Sequence, residues 1–168
     1  ELYTHMLEQA VRELRGEPAE ADVEPEIQLG IPAFIPDTYI ADVSQRLVVY
    51  KRLASIRGAP DLDAITEELV DRYGPVPPLV DTLMRVMELR RWLKDLRVVR
   101  VRRRGDAAVL EFDPSTPLEA GRLVQFVRGS PGRLRVTSGS ALEVQLGTAD
   151  HDGTVAELRA LLQKLAAT

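Results

Sequence analysis

The sequence predicts an α+β fold: an N-terminal helical half followed by antiparallel β-hairpins with packed helices. Three observations lead there. Apolar residues recur at helical spacing in successive stretches up to residue 96, and the period then drops from about 3.6 to about 2 at Arg97. Helices segregate from hairpins, with no β-α-β alternation that would build a parallel sheet.

Taken in order, Leu2, Met6, Leu7, Ala10, Val11 and Leu14 mark a first helix, stopped by Gly16. Residues 17–25 are acidic and carry Pro18 and Pro25, the composition of a linker. Ile27, Leu29 and Ile31 alternate with Glu26, Gln28 and Gly30, as in a half-buried strand. Pro32 and Pro36 fix their own φ and push the preceding residue into an extended conformation, so residues 31–36 form a stiff apolar strap. A helix follows to about Arg57, capped by Asp37 or Asp42. Ile40, Val43, Leu47 and Tyr50 or Leu53 form its apolar stripe, with Arg46, Lys51 and Arg52 off the centre.

Gly58 and Pro60 break the chain, and Asp61 stands at the N-cap of a helix whose stripe is Leu62, Ile65, Leu69 and Tyr73. Gly74 and Pro75 end it. Pro77 and Pro78 start another, which runs to about Leu96 through Leu79, Leu83, Val86, Met87, Leu89 and Leu93, with Trp92 at an edge. Val99 and Val101 then alternate with Arg100 and Arg102. After a turn at Gly105 and Asp106, Ala108, Leu110 and Phe112 continue the alternation as a hairpin partner. Ser115 or Thr116 caps a helix through Leu118, Leu123, Val124 and Val127. Residues 133–137 and 141–146 make a second hairpin around Gly139, and Thr154 caps a last helix bearing Val155, Leu158, Leu161, Leu162 and Leu165. The organisation is a leading helix (1–16), a linker (17–25) and one unit over 26–168, helical through 37–96 and hairpin-rich through 97–168.

A chain of 168 residues buries about 68–70% of its unfolded surface, enough for a core without staples. It has no cysteine, which removes disulfide and thiolate chemistry and suits a reducing cytoplasm. No apolar run is long enough to span a membrane, and no signal-peptide pattern is present. A start at Glu1, without Met and already in a helical pattern, is what a piece of a longer protein would show; as a fragment it is expected to be monomeric. The net charge of −4 hides a strong asymmetry. Residues 1–84 hold 7 basic and 16 acidic side chains, a net of −9, whereas residues 85–104 hold 9 and 2, a net of +7.

Catalytic readings find little support. The two histidines, His5 and His151, sit at opposite ends of the chain without metal-site spacing or triad partners. Neither glycine-cradle nucleotide motif occurs. Asp61 with Asp63, and Glu67 with Glu68, have no apolar pocket to tune them, so capping and solvation explain them. No cofactor and no metal are expected. Two binding readings remain. Arg100, Arg102 and Arg104 would share one strand face and could neutralise phosphates, but no aromatic residue apart from Trp92 is near to stack bases. Glu68, Asp71 and Arg72, at i, i+3 and i+4, are neighbours beside the apolar seam of their helix.

Two long motifs sharpen the choice. The strap leads into Pro36, Asp37, Tyr39, Ile40 and Asp42, followed by Arg46, Leu47, Tyr50, Lys51, Arg52 and Ala54. A second run, E-L-V-D-R-Y-G at residues 68–74, precedes Pro75, Pro77 and Pro78. Together with the opening E-L-Y-T-H-M-L-E, they resemble the C-terminal domain of the bacterial transcription-repair coupling factor, closely over roughly the first hundred residues and by pattern beyond. The resemblance implies a non-catalytic regulatory domain of an ATP-driven, cytoplasmic DNA translocase that acts on stalled RNA polymerase in transcription-coupled nucleotide excision repair. It implies docking on the factor's own N-terminal UvrB-like module, which masks the UvrA-binding surface and restrains the motor. In that family the face matching Glu68, Asp71 and Arg72 makes the contact. The alternative is a nucleic-acid-binding module that uses Arg100, Arg102 and Arg104 within residues 97–104.

Overall fold

The computed structural model describes residue 7 and residues 22–167 apart from 138, 140 and 149. Apart from Leu7, the predicted helix over residues 2–14, with His5, and most of the linker therefore lie outside the described residues. A short strand β1 (Glu26–Gln28) precedes three helices, α1 (Val43–Ala54), α2 (Ala59–Tyr73) and α3 (Pro78–Asp95). The hairpin half follows: β2 (Val98–Arg104), β3 (Ala107–Phe112), α4 (Ala120–Arg128), β4 (Leu134–Thr137), β5 (Ala141–Gln145) and α5 (His151–Ala167). The α+β class holds.

The five strands form one sheet in the order β1-β2-β3-β5-β4. Pairings between β2, β3, β5 and β4 are antiparallel, as expected from the hairpins. β1 departs from that: it runs parallel to β2, with Glu26 beside Arg100 and Gln28 beside Arg102. The three helices between them act as the long crossover that a parallel pair requires. β1 also stops earlier than the alternation suggests, because Gly30 takes a left-handed φ of 68° and turns the chain into the strap.

Two apolar cores form, and α3 feeds both. Val80, Leu83 and Met84 pack with Ile35, Ile40, Val49, Leu53, Ile65 and Leu69 in the helical half. Leu89 and Leu93 pack instead with Val98, Val101, Leu110 and Leu142 of the sheet and with Leu158, Leu162 and Leu165 of α5. Each fully buried leucine or isoleucine contributes on the order of 1.5–3 kcal/mol relative to leaving it in water.

Local details correct several expectations. Asp42, not Asp37, caps α1, accepting from the Ser44 and Gln45 amides at 2.7 and 3.2 Å. Ile40 therefore belongs to the turn that starts at Pro36, and the buried residues of α1 are Val49 and Leu53. Val43 and Leu47, assigned above to the buried stripe, are 60% and 53% exposed. α2 starts after Gly58 with Pro60 in its first turn, and Asp61 receives the Arg57 amide at 2.8 Å instead of capping. Ser115 and Thr116 do not cap α4, which begins only after Glu119. Ser115 closes a turn onto Asp113, and the Thr116 hydroxyl donates to the Leu96 carbonyl at 2.7 Å. Thr154 lies inside α5, fully buried, and donates to the Asp150 carbonyl at 2.8 Å; Asp150 takes the Gly153 amide at the helix start. In β2, Val98 and Val101 are both buried because a register shift between Val98 and Arg100 inserts Val99, which is half exposed.

A charged pair ties α3 to α5 inside this frame: buried Glu88 accepts from Arg159 at 2.9 Å. Removing the arginine strands a carboxylate in a low-dielectric site. Arg159→Ala is expected to lower stability by about 2–3 kcal/mol in urea unfolding, and adding Glu88→Gln should restore part of the loss.

Candidate functional site

The motif residues of the strap and α1 first explain the local fold. Tyr50 accepts the Ile35 amide at 2.7 Å, and Arg46 donates to the Ile40 carbonyl at 2.7 Å and the Ala41 carbonyl at 3.1 Å. The Tyr39 hydroxyl donates to the Gly74 carbonyl at 2.9 Å and the Leu69 carbonyl at 3.2 Å, satisfying the end of α2 where Gly74 takes φ 86°. Strap, α1 and α2 are thus fastened through groups that pattern reading alone treats only as punctuation.

That fastening leaves a shallow cleft of about 250 Å³ between α1 and α2, lined by Val48, Arg52, Glu68, Leu69, Arg72 and Tyr73 among others. Glu68 is the centre of its charge. One carboxylate oxygen pairs with Arg52 of α1, and the other lies 3.7 Å from Arg72 one turn further along α2. Arg72 also stands over the Tyr73 ring, 5.6 Å from its centroid, and the Tyr73 hydroxyl donates to Gln45 at 2.7 Å. Asp71 is exposed and has no hydrogen-bond or ion-pair partner among the described residues. Val48 and Val70 are exposed beside this cluster, and Val43 and Leu47 on the outer side of α1. Glu68 and Arg72 therefore meet as the spacing predicts, while Asp71 stays free. Arg52 is what the spacing missed, since it lies sixteen residues away and reaches Glu68 only through the packing of α1 on α2.

The arginine row tells a different story. Arg100, Arg102 and Arg104 do share the sheet face away from α3 and α5, where Arg102, Arg104, Val99, Val109 and Glu111 line one depression. Arg100 is paired, at 3.3 Å from Glu26 and 3.7 Å from Glu111, and Arg102 lies 3.8 Å from Glu111. Arg104 has no ion-pair partner among the described residues. Among the described residues no group of three or more His, Asp or Glu side chains is placed to hold a metal ion, and no helix is long and apolar enough to cross a membrane.

Comparison with known proteins bears on the family and the fold. The family model described as the TRCF domain matches residues 29–123. The chain is similar to the transcription-repair-coupling factor of Myxococcus xanthus, 35% identical over 137 residues, which is 82% of this chain and 11% of that protein. It is similar to the transcription-repair-coupling factor of Haemophilus influenzae at 32% identity, over 77% of this chain and 12% of that one. It thus spans only a small part of these relatives' length. A crystal structure of the C-terminal domain of a transcription-repair coupling factor superposes with a TM-score of 0.77 at 22% identity, covering 88% of this chain and 95% of that one, a likeness of fold.

Burial, with the neighbouring Tyr73 ring hydroxyl as a second cause, raises the Tyr39 phenol above the usual tyrosine value of 10.0. A phenol whose folded pKa is raised contributes stability that is intact below about pH 10 and lost as pH climbs through the folded value. Tyr39→Phe should therefore cost about 1 kcal/mol at neutral pH, from two lost hydrogen bonds, and flatten the alkaline loss. Urea unfolding of both proteins from pH 7 upward checks this.

Proposed function

The chain belongs to the TRCF domain family, with the fold of the C-terminal domain of a transcription-repair coupling factor, and from that premise we propose that it is an autoinhibitory docking domain. Its α1–α2 face covers the UvrB-like module at the other end of the same factor, masks the surface that UvrA would use and restrains the DNA translocase. The domain itself performs no reaction, and the full factor works in the cytoplasm in transcription-coupled repair. The observation that carries this reading is the asymmetry of the carboxylates: Glu68 is held by Arg52 and Arg72, while Asp71 beside it is unpaired and exposed. An exposed carboxylate on a rigid helix, with apolar Val48 and Val70 next to it, is equipped to receive an arginine from a partner in a bidentate pair.

A latch of this kind needs only modest affinity. Exposed ion pairs contribute about 0–1 kcal/mol each and weaken with salt. Covalent tethering supplies an effective concentration on the order of millimolar, so a few kcal/mol of docking energy keeps the closed state dominant. The same modesty lets a partner that binds the open state reverse it.

Glu68→Lys with Asp71→Lys is expected to leave the domain folded and to remove docking. Calorimetric titration against the isolated UvrB-like module, with and without UvrA competing, measures it. Undiminished binding would reject this face, and absence of binding by the unaltered domain at low ionic strength would reject the latch itself.

A further inference from the structure

The end of α1 and the second half of α3 enclose a depression of about 270 Å³ that shares no lining residue with the α1–α2 cleft. Arg57, Arg90, Arg91 and Lys94 all line it, so four cations face one space. Arg90 and Lys94 are one turn apart on α3, Arg91 flanks them, and Arg57 comes from the residues just after α1. Two carboxylates answer them. Asp95 lines the depression and lies 3.3 Å from Arg91, while Glu24 reaches Arg90 and Lys94 from outside it, with a side chain 64% exposed. Arg57 has no ion-pair partner among the described residues. An excess of two positive charges remains. Two of the cations are also set in place: the Arg90 and Arg91 side chains are only 21% exposed, and Arg91 lies over the Trp92 ring, 4.5 Å from its centroid. The Arg91 Nε is buried and has no hydrogen-bond partner among the described residues, so the chain alone does not satisfy this guanidinium.

We propose that this depression binds a terminal phosphate group, as the dianion of free phosphate or of a phosphate monoester. Charge selects the ligand first. A terminal phosphate carries close to two negative charges at neutral pH and matches the excess of two, whereas a carboxylate or a backbone phosphodiester brings one. Its three acceptor oxygens also suit the donors present, because three of the four cations are arginines, whose planar forks engage phosphate bidentately. Recess is the second selector. A space of about 270 Å³ accepts a phosphate and a small body attached to it, not a duplex, whose phosphates lie along a convex rod. Holding Arg91 against Trp92 removes part of the ordering cost of binding. Glu24, exposed and shared between two cations, is the counter-charge that yields when the ligand arrives.

Trp92 is the only tryptophan in the chain, so its fluorescence reports on the arginine stacked against it. The whole chain is titrated with inorganic phosphate and with glycerol 3-phosphate, against sodium chloride of equal ionic strength, and its melting temperature is measured under the same conditions. A saturable change in Trp92 emission is expected, half-complete on the order of 1 mM, together with a rise in melting temperature that chloride does not give. Tighter binding of glycerol 3-phosphate assigns the site to a monoester, and tighter binding of inorganic phosphate assigns it to the free ion. Arg57→Gln, at an exposed and unpaired residue, should weaken binding about tenfold, and Glu24→Gln should tighten it. Arg104→Gln, an equal change in net charge at an unpaired arginine of β2, should leave binding unchanged. The proposal is overturned by silence in both readouts, by an equal response to chloride or to succinate, or by an equal loss in Arg104→Gln. It is also overturned if a 20-base-pair DNA duplex binds at Arg57 more tightly than either small phosphate.

Discussion

Helix α3 is the member on which both halves of the molecule rest. Its first two turns complete the helical core through Val80, Leu83 and Met84, and its later turns complete the sheet core through Leu89 and Leu93. Neither half would bury much apolar surface alone, since small units exclude proportionally less of their chain from water. Sharing one helix makes each core a condition of the other. The Glu88–Arg159 pair sits between the α3 residues of the two cores and fixes α5 against the same helix. Its value is placement rather than net energy, because desolvating both charges offsets most of their attraction.

The order and type of the elements were legible in the sequence because they depend on local periodicity and on turn chemistry. Gly74, the Pro77–Pro78 start of α3 and the Gly105–Asp106 turn all act where the pattern puts them. What was not legible depends on partners far away in the chain. Nothing around Glu26 says that it pairs in parallel with a strand more than seventy residues on. The phase of α1 is legible only in part: with Ile40 placed in the helix, the stripe reaches Leu53 correctly but puts exposed Val43 and Leu47 where Val49 is buried. The inserted Val99 was invisible for a similar reason, since valine alternation reads the same with or without an extra residue. At the candidate site, the i, i+4 partner of Glu68 was readable and Arg52 was not.

Charge shows the same division. The run of basic residues looks like an open cationic surface along the sequence, but in three dimensions Glu24, Glu26, Asp81, Asp95 and Glu111 answer it. Part of the acidic front half thus serves as counter-charge to the basic middle. Several motif residues that carry the family likeness, Tyr39, Asp42, Arg46 and Tyr50, are occupied in fastening strap to helix. The likeness is therefore strongest where the chain holds itself together.

Eighteen residues of α3, at about 1.5 Å each, make a rod roughly 27 Å long. The α1–α2 cleft belongs to the half of the molecule built on its front end, and the arginine strand leaves from its far end. The two surfaces are consequently gauged against each other: a body reaching both meets them at a set span, as against marks on a ruler.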